Sequence, residues 1–186
     1  MPMDIYEQEK LAEECAKKWM RGKRKNSERE AWRHPEDVVK LVDEFYQDKD
    51  RIRPDYISLL KTIAWLHDIL EDGLKEVRHA NVDGVDSVRV SDLEEAGFEE
   101  NVIMNVKLLT RERGETKRQY LFMLGQSDRE KAKIVKVLDR VANLREGKET
   151  MSDQWLKEYR RETLLYIVPW TTDRGRCYRI LVDECQ

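Results

Sequence analysis

Cysteine is scarce in this chain: Cys15, Cys177 and Cys185 are three among 186 residues, far apart and odd in number. No C-x-x-C pair occurs, which excludes a zinc ribbon and a disulfide framework. Proline and glycine are also few, four and eight, which suits helices joined by short connections. No apolar run reaches the ~20 residues of a membrane helix, so no membrane partner is expected. The opening MPMDIYEQEK is polar and acidic where a signal peptide is basic and then apolar. A soluble, cytoplasmic protein is the expectation. Charge of one sign is missing too. Lys and Arg total 35 against 38 Asp and Glu, for a net charge of −3 and a pI near 5.8. That balance gives no global electrostatic case for duplex nucleic acid, although Lys17, Lys18, Arg21, Lys23, Arg24 and Lys25 crowd one stretch, which a solvated helix end explains equally well.

The length suits a single domain over 1–186 with a real core. Apolar spacing predicts a first helix from about Ile5 to Met20, then a basic loop over 21–33. His34-Pro35 opens a second helix, with Glu36 and Asp37 complementing its dipole. Pro54 opens a third, expected to run unbroken to about Asp72. Residues 73–90 break the pattern; Asp83-Gly84 reads as a turn, so a short β-hairpin or irregular excursion is expected there. Ser91-Asp92-Leu93-Glu94 carries a capping-box pattern for another short helix. Further helices are expected near 99–110, 114–126, 128–145 and 152–168, and Tyr178 to Val182 reads as strand or helix. No repeat or domain boundary is visible. The fold expected is an all-α bundle with one small excursion.

The third helix contains the chain's most unusual segment, Ala64-Trp65-Leu66-His67-Asp68-Ile69-Leu70-Glu71-Asp72. On a continuous helix residues 67 and 71 stack, as do 68 and 72, so an imidazole and three carboxylates converge. Ile63, Leu66, Ile69 and Leu70 argue that this helix is buried. Buried charge is tolerated when it is paired, hydrogen-bonded or bound to a metal. His34 and Asp139 supply two more such groups, Asp139 on the apolar stretch Lys136 to Leu144 with Asn143 one turn beyond. Taken singly, each has an ordinary reading: a helix-start histidine is commonly a cap, and an aspartate on an apolar helix commonly bonds nearby backbone. Glu71 could equally pair with Lys75 four residues on. His79, within the excursion, has no partner pattern. Together, His34, His67, Asp68 and Asp139 form a plausible divalent-metal set. Mixed imidazole and carboxylate donors suit Mn²⁺, Fe²⁺ or Co²⁺ better than a thiolate-preferring ion.

The order H…HD…D resembles the HD phosphohydrolase superfamily. Finer matches resemble the hydrolase domain of Rel/Spo proteins and the small alarmone hydrolases, across roughly residues 10–170. Arg24-Lys25 ahead of His34-Pro35 is similar to their R-K…H-P. Leu66-His67-Asp68-Ile69-Leu70-Glu71-Asp72 resembles L-H-D-x-x-E-D, and Val106 to Arg111 resembles V-x-x-L-T-K/R. Ile134 to Arg145 is similar to V-K-L-A-D-R-x-x-N-L-R, and Arg161-Glu162-Thr163-Leu164 with Tyr166 and Pro169 to R-E-T-L-x-x-Y-x-P. The chain departs from that pattern twice: in the length of 73–90, and in Arg29-Glu30-Ala31-Trp32, where the family has G-x-P-Y.

The resemblance implies an HD-domain helical bundle that hydrolyses a nucleotide phosphate, with guanosine 3′,5′-bispyrophosphate (ppGpp) cleaved at its 3′ pyrophosphate as the leading expectation. It implies metal ligation by His34, His67, Asp68 and Asp139, with Mn²⁺ first and Fe²⁺, Co²⁺ or Zn²⁺ as alternatives. Glu71 and Asp72 would orient water or protonate the leaving oxygen. Arg24, Lys25, Arg111 and Lys117 or Arg118 would neutralise phosphate, and Thr163 would belong to the substrate site. Asn143 would contact the nucleotide or orient Asp139. A 5′-nucleotidase or nucleoside triphosphohydrolase, and a non-catalytic nucleotide sensor, are the competing expectations. Oligomeric state stays open.

Overall fold

Asp4 starts the first helix. Its carboxylate accepts the backbone N–H groups of Tyr6 and Glu7 at 2.9 Å each, while Glu7 returns a bond to the Asp4 N–H. This reciprocal cap satisfies donors that a helix start leaves free. The structure, a computed structural model, describes residues 3–24, 27–46, 52–79, 82–170 and 176–186. It is all-α with one two-stranded sheet. The helices are α1 (Ile5–Trp19), α2 (Arg33–Phe45), α3 (Pro54–Leu66), α4 (Ile69–Asp72), α5 (Val90–Ala96), α6 (Glu100–Leu109), α7 (Lys117–Gln126), α8 (Glu130–Thr150), α9 (Asp153–Tyr166) and α10 (Arg176–Glu184). A 3₁₀ turn, Val168–Trp170, separates the last two. No helix among the described residues is long and apolar enough to cross a membrane.

α3 and α8 are the central elements. α3 packs against α1, α2, α6 and α8, and α8 also touches α2, α6, α7, α9 and α10. Leu60, Ile63 and Leu66 of α3 and Val135, Leu138 and Val141 of α8 are inaccessible to solvent. Each such side chain contributes roughly 1.5–3 kcal/mol through removal of apolar surface from water. α8 carries Asp139, and α3 ends one residue before His67, so both helices anchor the chemistry-bearing residues in the core.

The third helix departs from the sequence expectation. It does not run unbroken to Asp72: α3 ends at Leu66, and a one-turn α4 follows after His67 and Asp68. His67 causes part of this itself, because its ring Nδ1 donates to Ala64 O at 2.8 Å, occupying a carbonyl at the helix end. The four acidic and imidazole groups therefore do not form two stacked stripes on one helix. His67 and Asp68 occupy the break, and Glu71 and Asp72 sit on the short turn beyond it.

The 73–90 excursion is a hairpin of β1 (Leu74–His79) and β2 (Val82–Ser87), antiparallel with Leu74 opposite Ser87 and His79 opposite Val82. Its turn is not at Asp83-Gly84, which lie inside β2 opposite Arg78 and Val77. The hairpin closes at its base, where Val88 N–H donates to Gly73 O at 3.0 Å. α5 starts one residue before the expected Ser91, with Asp92 accepting the Arg89 N–H at 2.7 Å. The segment Tyr178 to Val182 is helical, within α10.

Candidate metal centre

Three separate elements bring the centre together. His34 stands on the first turn of α2, His67 and Asp68 in the α3–α4 break, and Asp139 midway along α8. His34, His67 and Asp139 are buried, and Asp68 is half-buried. His34 Nε2 lies 3.0 Å from Asp139 Oδ1 and 3.8 Å from Asp68 Oδ2. His67 Nε2 lies 3.2 Å from Asp68 Oδ2 and 3.8 Å from Asp139 Oδ1. The two imidazoles meet edge to face, with centroids 5.2 Å apart. One donor atom each from His34, His67 and Asp68 falls within 4.8 Å of the others, so these three residues could hold a metal ion.

The orphaned atom of the centre is His67 Nε2. It is buried and makes no well-formed hydrogen bond among the described residues, although Asp68 Oδ2 lies 3.2 Å away. With Nδ1 committed to Ala64 O, a neutral ring would aim the Nε2 lone pair at two carboxylates. That arrangement is repulsive unless Nε2 carries a proton or meets a cation. Burial opposes charge on His67, but Asp68 and then Asp139 outweigh it and raise its pKa. Burial likewise opposes ionisation of Asp68, and His67 nevertheless holds its carboxyl below the ordinary range. Buried imidazoles and carboxylates of this kind are donors for a borderline or hard divalent ion, and the residues fit one.

Asp139 is oriented from three sides. Lys136 Nζ, one turn earlier on α8, lies 2.8 Å from Oδ2. Asn143, one turn later, donates its amide to Oδ1 and to the Asp139 carbonyl. Against the cost of burial, Lys136 and the bond from His34 hold the Asp139 carboxyl well below its usual range. Asn143 in turn accepts from Arg24 Nη2 at 2.7 Å, and Arg24 Nε reaches Glu146 at 3.2 Å. Of the two roles open to Asn143, orientation of Asp139 is the one made here, and Arg24 extends that chain.

Glu71 and Asp72 lie at the exposed rim beyond Asp68. Withdrawal from water, and then the Asp68 charge, push both carboxyls above their ordinary pKa; for Glu71 a backbone bond pulls the other way. That bond is from Arg111 N–H to Glu71 Oε1, at 2.7 Å. The alternative Glu71–Lys75 pair does not form, since Lys75 is bonded to Asp92.

The remaining expected residues scatter. Lys25 lies outside the described residues. Arg111 contributes its backbone to Glu71, and its side chain is exposed. Lys117 pairs with Glu162 at 2.9 Å and sits 5.2 Å from the Tyr159 ring centre. Arg118 lines a different groove, with Phe122 and Trp170. Thr163 is wholly buried, and its hydroxyl donates to Tyr159 O at 2.8 Å within α9, which leaves it no exposed atom to offer a substrate here.

Sequence reasoning missed Lys136, Arg140 and Glu162. Arg140 is 1% exposed, 4.4 Å from the Tyr159 ring centre and 2.5 Å from Glu162 Oε1, which Lys117 also approaches. The available signal was the spacing of Lys136 three residues before Asp139 on an otherwise apolar helix. No family model matches the chain, and no curated protein matches it.

Proposed function

We propose that this chain is a metal-dependent nucleotide phosphohydrolase of the HD type, with hydrolysis of ppGpp at the 3′ pyrophosphate as its reaction. One observation carries the reading: the buried His67 Nε2, which makes no well-formed hydrogen bond among the described residues yet lies 3.2 Å from Asp68 Oδ2 and 3.8 Å from Asp139 Oδ1. The sequence resemblance gives the reaction class and the nucleotide. His34, His67, Asp68 and, as a fourth ligand, Asp139 would hold the ion, with Mn²⁺ proposed. A divalent cation there supplies Lewis acidity toward a phosphoryl oxygen and makes hydroxide accessible near neutral pH.

The chain's own residues do the rest. Lys136 and Asn143 fix the Asp139 carboxylate, so the site is oriented before a ligand arrives. The raised carboxyls of Glu71 and Asp72 suit groups that accept a proton from water and pass one to a leaving oxygen. Lys117 and Arg140, sharing Glu162, supply positive charge on the α7–α8–α9 side, where phosphate oxygens would be neutralised.

The test is incubation of the purified full chain with Mn²⁺ and a panel of ppGpp, nucleoside mono- and triphosphates and cyclic dinucleotides. Release of pyrophosphate from ppGpp alone supports the proposal. Phosphate release from monophosphates, or triphosphate release from triphosphates, assigns a different HD-type reaction. Tight binding with no turnover makes the chain a sensor.

A further inference from the structure

Among the described residues the Arg118 side chain has no hydrogen bond or ion pair, unlike Lys117 beside it, which is committed to Glu162. It lines a groove of about 620 Å³ between α7, the start of α8, the end of α9 and the 3₁₀ turn. That volume lies within the range of small-molecule sites. The groove shares no residue with the metal centre. Its second cation is Lys133, whose ammonium has, among the described residues, Gly125 O alone, at 3.5 Å. Among the described residues, no acidic side chain lines the groove, in a chain whose acids outnumber its bases. The walls are aromatic: Phe122, Tyr166 and Trp170. Phe122 is 61% exposed, so a large ring face is offered to solvent.

Gly125 shows how the floor is built. A Cβ at this position would lie 2.1 Å from Trp170 Nε1 and 2.7 Å from two further indole atoms. The indole therefore rests directly on the backbone of α7. Glycine inside a helix is costly relative to alanine, and here it admits a flat aromatic surface beside two cations. Stacking faces and unpaired positive groups together select a planar ring that carries phosphate.

We propose that this groove is a second, metal-independent nucleotide site, with the base against Phe122 and Trp170 and the phosphates on Arg118 and Lys133. It does not rest on the reading of the metal centre. An acidic peptide is the rival occupant; an indole floor in the same groove as both cations favours the nucleotide.

The test is isothermal titration of the full chain in excess EDTA with ADP, GDP, adenosine and inorganic phosphate. Saturable binding of ADP or GDP is expected, weakening as salt is raised. Adenosine and phosphate are each expected to bind at least about ten-fold more weakly, a difference titration resolves easily. The double variant Arg118→Glu/Lys133→Glu should lose at least about ten-fold, with its helical circular dichroism unchanged. Gly125→Ala, which displaces the indole, should weaken the nucleotides and leave phosphate unaltered. Absence of saturable nucleotide binding overturns the proposal. So does nucleotide binding equal in the charge-reversed chain, or matched by phosphate alone, and so does selective binding of acidic peptides. Because EDTA removes metal, these outcomes are independent of turnover at the other site.

Discussion

Lys136 holds Asp139: the ammonium lies 2.8 Å from Oδ2, one helical turn away, and the side chains are 16% and 5% exposed. Its positive charge offsets part of the negative charge at the centre while no cation is bound. Lys136→Met removes that offset and leaves a buried carboxylate short of a partner. Loss of one member of such a pair costs about 3–5 kcal/mol. The variant's melting temperature should fall in EDTA, and Mn²⁺ should raise it by more degrees than it raises the wild type. Thermal denaturation with and without Mn²⁺ measures both; equal shifts in the two proteins would contradict the role given to Lys136.

Binding of a cation must expel protons. His67 is raised by Asp68 and Asp139 against the effect of burial, so its protonated form contributes stability below the ordinary histidine value, and that contribution is lost as pH rises through the raised one. A metal and this proton compete for Nε2. Mn²⁺ affinity should therefore climb with pH across that window. Calorimetry in two buffers of different ionisation enthalpy should register proton release, and its absence would remove His67 from the ligand set.

Under the proposed function, variants at Glu71 and Asp68 would separate chemistry from metal retention. Asp68→Ala should abolish both bound metal and turnover. Glu71→Gln should keep the metal affinity within about two-fold and lower kcat by roughly 10²–10⁴, the range for removal of an acid–base group. Its effect on stability has a definite sign. A carboxyl raised on folding above its ordinary 4.5 destabilises the fold once ionised, so Glu71→Gln should melt higher than wild type at pH 7. The advantage should vanish below pH 4.5, and a variant that stayed ahead there would show another cause.

Gly73 connects α4 to the hairpin under tight constraint. A Cβ there would lie 2.2 Å from Ile69 O and 3.0 Å from a Val88 methyl. Gly73→Ala is expected to cost about 1–3 kcal/mol, the scale of overpacking, and to shift Asp72, its immediate neighbour. Chemical denaturation gives the first quantity, and kcat with ppGpp under Mn²⁺ the second.

Sequence periodicity found the helices because amphipathic spacing and prolines act locally. It found His67 and Asp68 because charge on an apolar run is conspicuous. The break between α3 and α4 was hidden, since it depends on one imidazole turning back to Ala64 O, a choice that no spacing rule encodes. Lys136–Asp139 was hidden for the opposite reason: at three residues apart it looks like an ordinary surface pair, and only the burial of α8 makes it part of the centre. The hairpin was anticipated, but its turn was misplaced, because Asp83-Gly84 is a strong local signal and the Gly73–Val88 closure is a non-local one. Arg118 and Lys117 were indistinguishable in sequence; one residue of helical rotation sends them to different surfaces.

The hairpin leaves the helical body at Gly73 and re-enters it at Val88, with a backbone bond between the two at its base and the Lys75–Asp92 and Arg21–Glu76 pairs just above it. Chain that departs and returns at the same point imposes no span on what it joins. Strand residues could be added or deleted in matched pairs farther out, and α4 and α5 would keep their spacing. Length in this segment is thus a free variable for the protein, one that could change its outer reach over evolutionary time while Glu71 and Asp72, just before Gly73, stay in register.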